Sequence, residues 1–385
     1  MKVIIIGSGF AGYTLARNLR NLSKIVKIDI FSESDATYYS KPMLSRALTA
    51  NLNPESLIIK NALMMNKELD AKIYKNTKVY NIDTKKQIIQ YYNEKQQQTL
   101  STIKYDKLVL ATGSKAKCLP EFNHPCVFQV NNLTQYNNFY QALQKNKKVT
   151  ILGSGLVSCE FANDLSNKGY EVTIISQDSH LLCKFLPLAV SKYLRENLIN
   201  NGVSIKLQQK IKLDASNKQM IKIYCNNKII ESTLLLAAIG IQANYELAQK
   251  SGIACNDGII CDQYLACNKS NVFALGDCAE VENHIYQYIP PIRQAASSLA
   301  KTLVGKLTAV NYPVMPIGVK TPSYPLSICV PKKFEQWQLV NENSATKSIK
   351  MLHCDAQNNI NGVRLGGMDF YSERLQLVQN MQKLL

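Results

Sequence analysis

A chain of 385 residues is long enough for two or three domains with sizeable cores, which excludes a single small binding module. Hydrophobic residues at 46% and charged residues at 19% likewise exclude wholesale disorder and a disulfide mini-scaffold. The net charge of +17 would draw an acidic protein, a nucleic acid or an anionic membrane surface, or else reflects lysine-rich surface decoration.

The first element is a strand, Lys2 to Ile6, running into Gly7-Ser8-Gly9-Phe10-Ala11-Gly12, after which Leu15, Leu19 and Leu22 follow at helical spacing. In this context Gly7 permits a tight turn, Gly9 lets backbone approach a pyrophosphate, and Gly12 lets helix and strand pack closely. The helix start supplies free amides and positive dipole to the same phosphate. A second strand, Lys27 to Phe31, leads to Glu33, 21 residues beyond Gly12, where an acid can take the hydroxyls of an adenosine ribose. Residues Lys72 to Thr102 read as short amphipathic strands, with Lys95-Gln96-Gln97-Gln98-Thr99 as a hairpin tip.

The pattern recurs from Lys148. Strand Val149 to Leu152 enters Gly153-Ser154-Gly155-Leu156-Val157-Ser158, and a helix follows through Phe161 and Leu165. Ser158 replaces the third glycine, and the next strand, Val172 to Ile175, ends at Ser176-Gln177-Asp178 with no carboxylate directly at the ribose position. No arginine cluster for a 2′-phosphate stands there either, so NADH is only weakly favoured over NADPH. Repeated βαβ units predict an α/β fold with two Rossmann-like dinucleotide-binding domains, and the segment opening with Pro322 and Pro325 predicts a small C-terminal α+β domain. Apolar runs such as Leu234 to Ile239 are too short to span a bilayer, so no membrane segment is expected. Eleven cysteines without a secretory leader or a Cys-x-x-Cys spacing predict packing thiols in a reducing, cytoplasmic setting, with no metal site. The four histidines are expected in surface or capping roles, and Trp337 in core packing.

Tyr105-Asp106-Lys107-Leu108-Val109-Leu110-Ala111-Thr112-Gly113 and Asn271-Val272-Phe273-Ala274-Leu275-Gly276-Asp277 resemble the paired motifs of the two-dinucleotide-binding-domain flavoproteins. In that family the chain leaves the FAD domain through the first motif, builds the NAD domain, and returns through the second. The resemblance implies an FAD domain over 1–115 and 245–320, an NAD domain over 116–244, and a C-terminal domain over 321–385. Tyr39-Ser40-Lys41-Pro42-Met43-Leu44-Ser45 lacks the thiol pair of the disulfide reductases. That segment, Gly155 to Ser166, Gly276 to Val281 and Val319-Lys320-Thr321-Pro322 are similar to the rubredoxin reductases of the family.

The resemblance implies non-covalent FAD, NADH as exchanging co-substrate, hydride transfer to flavin N5, and single-electron delivery to rubredoxin, an acidic iron-sulfur protein. Ferredoxin or oxygen as acceptor, and a basic redox-regulated nucleic-acid-binding flavoprotein, are the alternatives. The basic residues are spread along the chain rather than gathered in one patch, so no nucleic-acid partner is expected. The expected FAD contacts are Gly7, Gly9, Phe10, Ala11, Gly12, Glu33, Lys41, Ala111, Thr112, Gly113, Gly276, Asp277 and Lys320. Gly153, Gly155 and Ser158 are expected to hold the nicotinamide nucleotide. Lys320, Glu160 and Lys41 are the expected catalytic residues: Lys320 or the helix opening near Pro290, Pro291 and Ile292 stabilises reduced flavin, and Glu160 pairs with Lys41 or Arg46.

Overall fold

β-Branched runs such as Val3-Ile4-Ile5-Ile6 have no polar alternation because parallel strands flanked by helices are buried on both faces. In the computed structural model, which describes residues 1–95, 100–226, 228–329 and 336–382, these runs build two parallel five-stranded sheets. The first has the order Val272–Ala274, Lys107–Leu110, Lys2–Ile6, Lys27–Phe31, Lys72–Tyr74. The second, Val127–Phe128, Leu235–Ala237, Lys148–Leu152, Glu171–Ile175, Ser204–Lys206, matches it in all but the first-named edge strand, which here precedes the central strand in the chain. In each, the chain moves outward from the central strand on one side and returns on the other. That switch point opens a crevice at the carboxyl ends of the strands, where open α/β sheets bind ligands. Lys72–Tyr74 pairs with Lys27–Phe31 in the parallel sheet. It therefore does not belong to the antiparallel meander of Thr77–Asp83, Ile88–Asn93 and Ser101–Lys104. Residues 96–99 of the expected hairpin tip lie outside the described residues.

Two compact units emerge. The first comprises Met1–Ser40, Ile58–Lys115 and Ile241–Tyr312; the second comprises Lys41–Leu57, Ala116–Gly240 and Pro313–Leu385. In the first, helix Phe10–Leu22 buries Leu15, Ala16 and Leu19, and helix Ile289–Leu303 buries Ala295, Ala296 and Leu299. These join Ile4, Ile5, Leu108 and Val109 in one core, where each fully buried Leu or Ile contributes about 1.5–3 kcal/mol. In the second, Leu152, Ile175 and Leu235 pack with Ile221 and Ile223 of a three-stranded antiparallel sheet.

The C-terminal segment forms an antiparallel sheet ordered Ile317–Val319, Leu326–Cys329, Ile360–Gly366, Ser348–Cys354, Gln338–Asn343, covered by helix Arg374–Gln382. Its buried Arg364 donates through Nε to the carbonyl of Phe185 (2.5 Å) and through Nη1 to those of Cys329 and Val363. Trp337 lies 4.1 Å from the guanidinium, and burial pushes that group down to about 9. Trp337, expected in core packing, is instead half-buried and lies over this cation. No helix among the described residues is long and apolar enough to cross a membrane, and all eleven cysteines stand as free thiols.

Candidate functional site

In the first unit the fingerprint glycines are required by close backbone approach. Gly7 has φ +118°, and a Cβ there would lie 2.0 Å from the carbonyl oxygen of Ala111. A Cβ at Gly12 would lie 2.0 Å from the carbonyl oxygen of Gly7. A Cβ at Gly9 would meet nothing within 4 Å, so the turn opens onto free space there. Helix Phe10–Leu22 starts at Gly9 without a side-chain cap, leaving the first-turn amides, those of Phe10 and Ala11 included, to serve an anion.

The two flanking motifs meet the same turn. A Cβ at Gly276 would lie 2.7 Å from that of Ala11, which brings the Gly276-Asp277 turn against the helix start. Ser114 Oγ donates to Asp277 (2.7 Å), Thr112 donates to the carbonyl of Asn244 (2.6 Å), and Gly113, at φ +69°, faces open space. Glu33 is exposed just past the second strand, beside a hydroxyl chain linking Ser8 to Ser32 (2.6 Å) and Ser32 to Ser34 (3.0 Å). An open, uncapped cradle with an acid at its rim fits a dinucleotide.

The second unit repeats this geometry with two changes. Gly153 has φ +116°, its added Cβ would lie 2.5 Å from the carbonyl of Ala238, and Gly155 faces open space before the uncapped helix Leu156–Ser166. Ser158, fully buried, fits at the third position by donating its hydroxyl to the carbonyl of Ala238 (3.3 Å). No acid stands directly at the strand end, but the fold turns one back to it. Asp178 accepts hydrogen bonds from Ser154 and from Ser176 Oγ (3.0 Å). Burial pushes its carboxyl up, but hydrogen bonds from Ser154, Ser176 and Cys183 outweigh that and hold it below the usual carboxylate range. The backbone amide of Gln208 caps the Asp178 carbonyl at 3.0 Å, beside a cavity of about 530 Å³ bounded by Gln177, Ser179 and Gln208 to Ile211. The readable signal was an acid one residue late, two after a serine that matches Ser32.

Helix Leu156–Ser166 also carries Glu160, 5% exposed. Its carboxylate accepts from Ser45 Oγ (2.6 Å), from the Lys320 backbone amide (3.0 Å) and from Lys320 Nζ (3.0 Å). Lys320 thus supplies an ion pair to Glu160, for which Lys41 or Arg46 was the expected cation. One turn on, Asp164 accepts from the backbone amides of Leu48 (3.1 Å) and Thr49 (2.9 Å), and this register turns Ser45 toward Glu160. Burial pushes the Asp164 carboxyl up despite these bonds. Asn163, on the same face, accepts from Ser323. One helix thus grips both the 41–57 segment and the loop after Lys320. Lys41, in the short turn Lys41–Met43, belongs to this second unit, whereas the other expected FAD contacts except Lys320 belong to the first.

The profile of the family described as "Pyridine nucleotide-disulphide oxidoreductase" matches residues 1–299. The chain belongs to this family. The remainder matches "Rubredoxin binding C-terminal domain" over residues 309–381. Among curated relatives of this oxidoreductase, "Rubredoxin-NAD(+) reductase" of Acinetobacter baylyi is 36% identical, covering 85% of this chain and 84% of that protein. The protein of the same name from Alcanivorax borkumensis is 32% identical, covering 90% and 91%. The covalent putidaredoxin reductase–putidaredoxin complex shares the fold with TM-score 0.88 at 19% identity, over 99% of this chain and 93% of that one. The oxidoreductase fold with two dinucleotide-binding domains is the one expected from the doubled fingerprint.

Proposed function

We propose that this oxidoreductase is a rubredoxin-NAD(+) reductase: it takes hydride from NADH onto FAD and passes single electrons to rubredoxin. The observation that carries this is the rubredoxin-binding match at 309–381 following a pyridine nucleotide oxidoreductase match at 1–299. Bound FAD supplies the redox chemistry, converting a two-electron hydride into single electrons for an iron-sulfur acceptor. The chain supplies binding, orientation and charge.

The roles follow the geometry. Gly7, Gly9 and Gly12, with the amides of Phe10 and Ala11, hold the FAD pyrophosphate, and Glu33 takes the adenosine ribose. Asp277, oriented by Ser114, with Ala111, Thr112, Gly113 and Gly276, lines the remainder of the FAD site. Gly153, Gly155 and Ser158 hold NADH, and the Asp178 carboxylate takes its adenosine ribose hydroxyls. A 2′-phosphate would set negative charge against Asp178, which favours NADH over NADPH. Glu160, Lys320 and Lys41 act in the redox step, Glu160 fixing Lys320 through both its backbone amide and its ammonium. We read 1–115 and 245–320 as the FAD domain, 116–244 as the NAD domain and 321–385 as the rubredoxin-binding domain. A cytoplasmic setting suits a chain with eleven free thiols.

An anaerobic titration with NADH tests the reading. Stoichiometric flavin absorbance should bleach, then recover on adding rubredoxin, with rubredoxin reduced faster than a plant-type ferredoxin. Colourless protein, or equal rates with both acceptors, would overturn it.

A further inference from the structure

Among the eleven cysteines, Cys255, Cys261 and Cys267 recur at six-residue intervals, and Cys278 follows them. Within the first unit, the Sγ atoms of Cys261 and Cys267 lie 3.9 Å apart. Cys261 ends the strand Ile259–Cys261, and the chain reverses through Asp262 to Ala266, where the Asp262 amide donates to the Ala266 carbonyl (3.0 Å) and the Leu265 amide to that of Asp262 (3.0 Å). The two cysteines flank this turn directly. Their sulfurs face each other across it at 3.9 Å, near enough for a disulfide to form with small side-chain movement. Bond formation needs the sulfurs to close to about 2.05 Å, which side-chain rotation supplies without unfolding the turn.

The two thiols differ in exposure. Cys267 is partly exposed and can meet a reagent, whereas Cys261 is 6% exposed. The hydrogen bond to Cys267, together with burial, holds the Cys261 thiol protonated well above the ordinary thiol range. Cys255 Sγ donates to the carbonyl of Ile253 (3.4 Å) rather than to another sulfur.

We propose that Cys261 and Cys267 form a reversible disulfide site that reads the ratio of small-molecule disulfide to thiol. The Cys267 thiolate attacks a low-molecular-weight disulfide such as oxidised glutathione, forming a mixed disulfide and expelling one glutathione thiolate. Cys261 then attacks the Cys267 sulfur, forming the intramolecular bond; its proton goes to solvent or to the departing second glutathione. Two protein thiols are oxidised and one glutathione disulfide is reduced to two thiols. Because Ile259–Cys261 pairs with Ala279–Val281, the strand that follows Gly276-Asp277, the bond would brace the backbone next to that motif. Disulfides in reducing compartments are typically transient and sensing.

The test treats the FAD-loaded protein with oxidised glutathione, blocks remaining thiols in denaturant, and maps the tryptic peptide 251–269, which holds Cys255, Cys261 and Cys267. The expected peptide carries one blocked thiol, at Cys255, with Cys261 and Cys267 joined, and dithiothreitol restores all three. Cys255→Ser should leave the bond unchanged, and Cys261→Ser should stop at a glutathione adduct on Cys267. Three blocked thiols in the treated wild-type protein, a stable adduct on Cys267, or a bond to Cys255 would each overturn the proposal. The wild-type measurement decides even if a variant fails to fold.

Discussion

The two fingerprints impose the same backbone turn, at φ +118° and +116°, yet differ at the third small residue and at the acid. At Gly12 the helix lies so close to Gly7 that a single added carbon meets a carbonyl at 2.0 Å, whereas Ser158 fits by hydrogen bonding to Ala238 at 3.3 Å. At the first rim Glu33 stands exposed and a serine, Ser34, closes the hydroxyl chain; at the second, Gln177 stands exposed and Asp178 closes it. The lesson is that the motif's turn is invariant, while its packing and its polar rim are set separately by what presses on them.

The largest expected effect comes from the third position. Gly12→Ala should abolish FAD retention and destabilise the protein by about 1–3 kcal/mol or more, since backbone must shift. Ser158→Gly should keep FAD and cost only about 0.5–1 kcal/mol. FAD content per chain and denaturant midpoints check both, and equal behaviour would erase the contrast. Next are the open positions, where a side chain harms the ligand and not the fold. Gly9→Leu should give folded, colourless protein; Gly155→Leu should stay yellow but need at least about tenfold more NADH. A yellow Gly9→Leu protein would remove the FAD assignment from the first cradle.

Asp178→Ala should then lower kcat/KM for NADH roughly ten- to hundredfold, the worth of about 1.5–3 kcal/mol for a charge-assisted contact. The preference over NADPH should narrow with it, and an unchanged NADH to NADPH ratio would place the ribose elsewhere. The smallest effect concerns acid stability. The folded Asp178 carboxyl sits below its unfolded value, so its stabilising contribution is complete above about pH 4 and is lost as pH falls through the folded value. Asp178→Asn should therefore flatten the acid limb of the stability curve, and an unaltered limb would show that Ser154 and Ser176 do not hold the charge.

Legibility tracked the range of the interaction. Both glycine turns, the helices behind them and the strand before each could be read directly, as could the small C-terminal α+β domain. The cation for Glu160 expected from sequence is Lys41 or Arg46, but Asp164 pins Leu48 and Thr49 so that Ser45 faces the carboxylate, and Lys320 supplies a cation. The strand Lys72–Tyr74 joins the parallel sheet rather than the meander after it, and its residues alone do not say which edge it will join.

By itself, the sequence determined what a few consecutive residues enforce: a left-handed glycine, a helix start without a cap, a β-branched run that must be buried on both faces. These follow from local sterics and solvation, which no distant segment can alter. Only the tertiary structure decided which charge meets Glu160 from 160 residues away, which acid closes the second rim, and which two of eleven thiols stand within reach of each other. A buried carboxylate or thiol takes whatever partner packing delivers to its helix or strand, and that delivery depends on segments whose sequence separation carries no information about their distance.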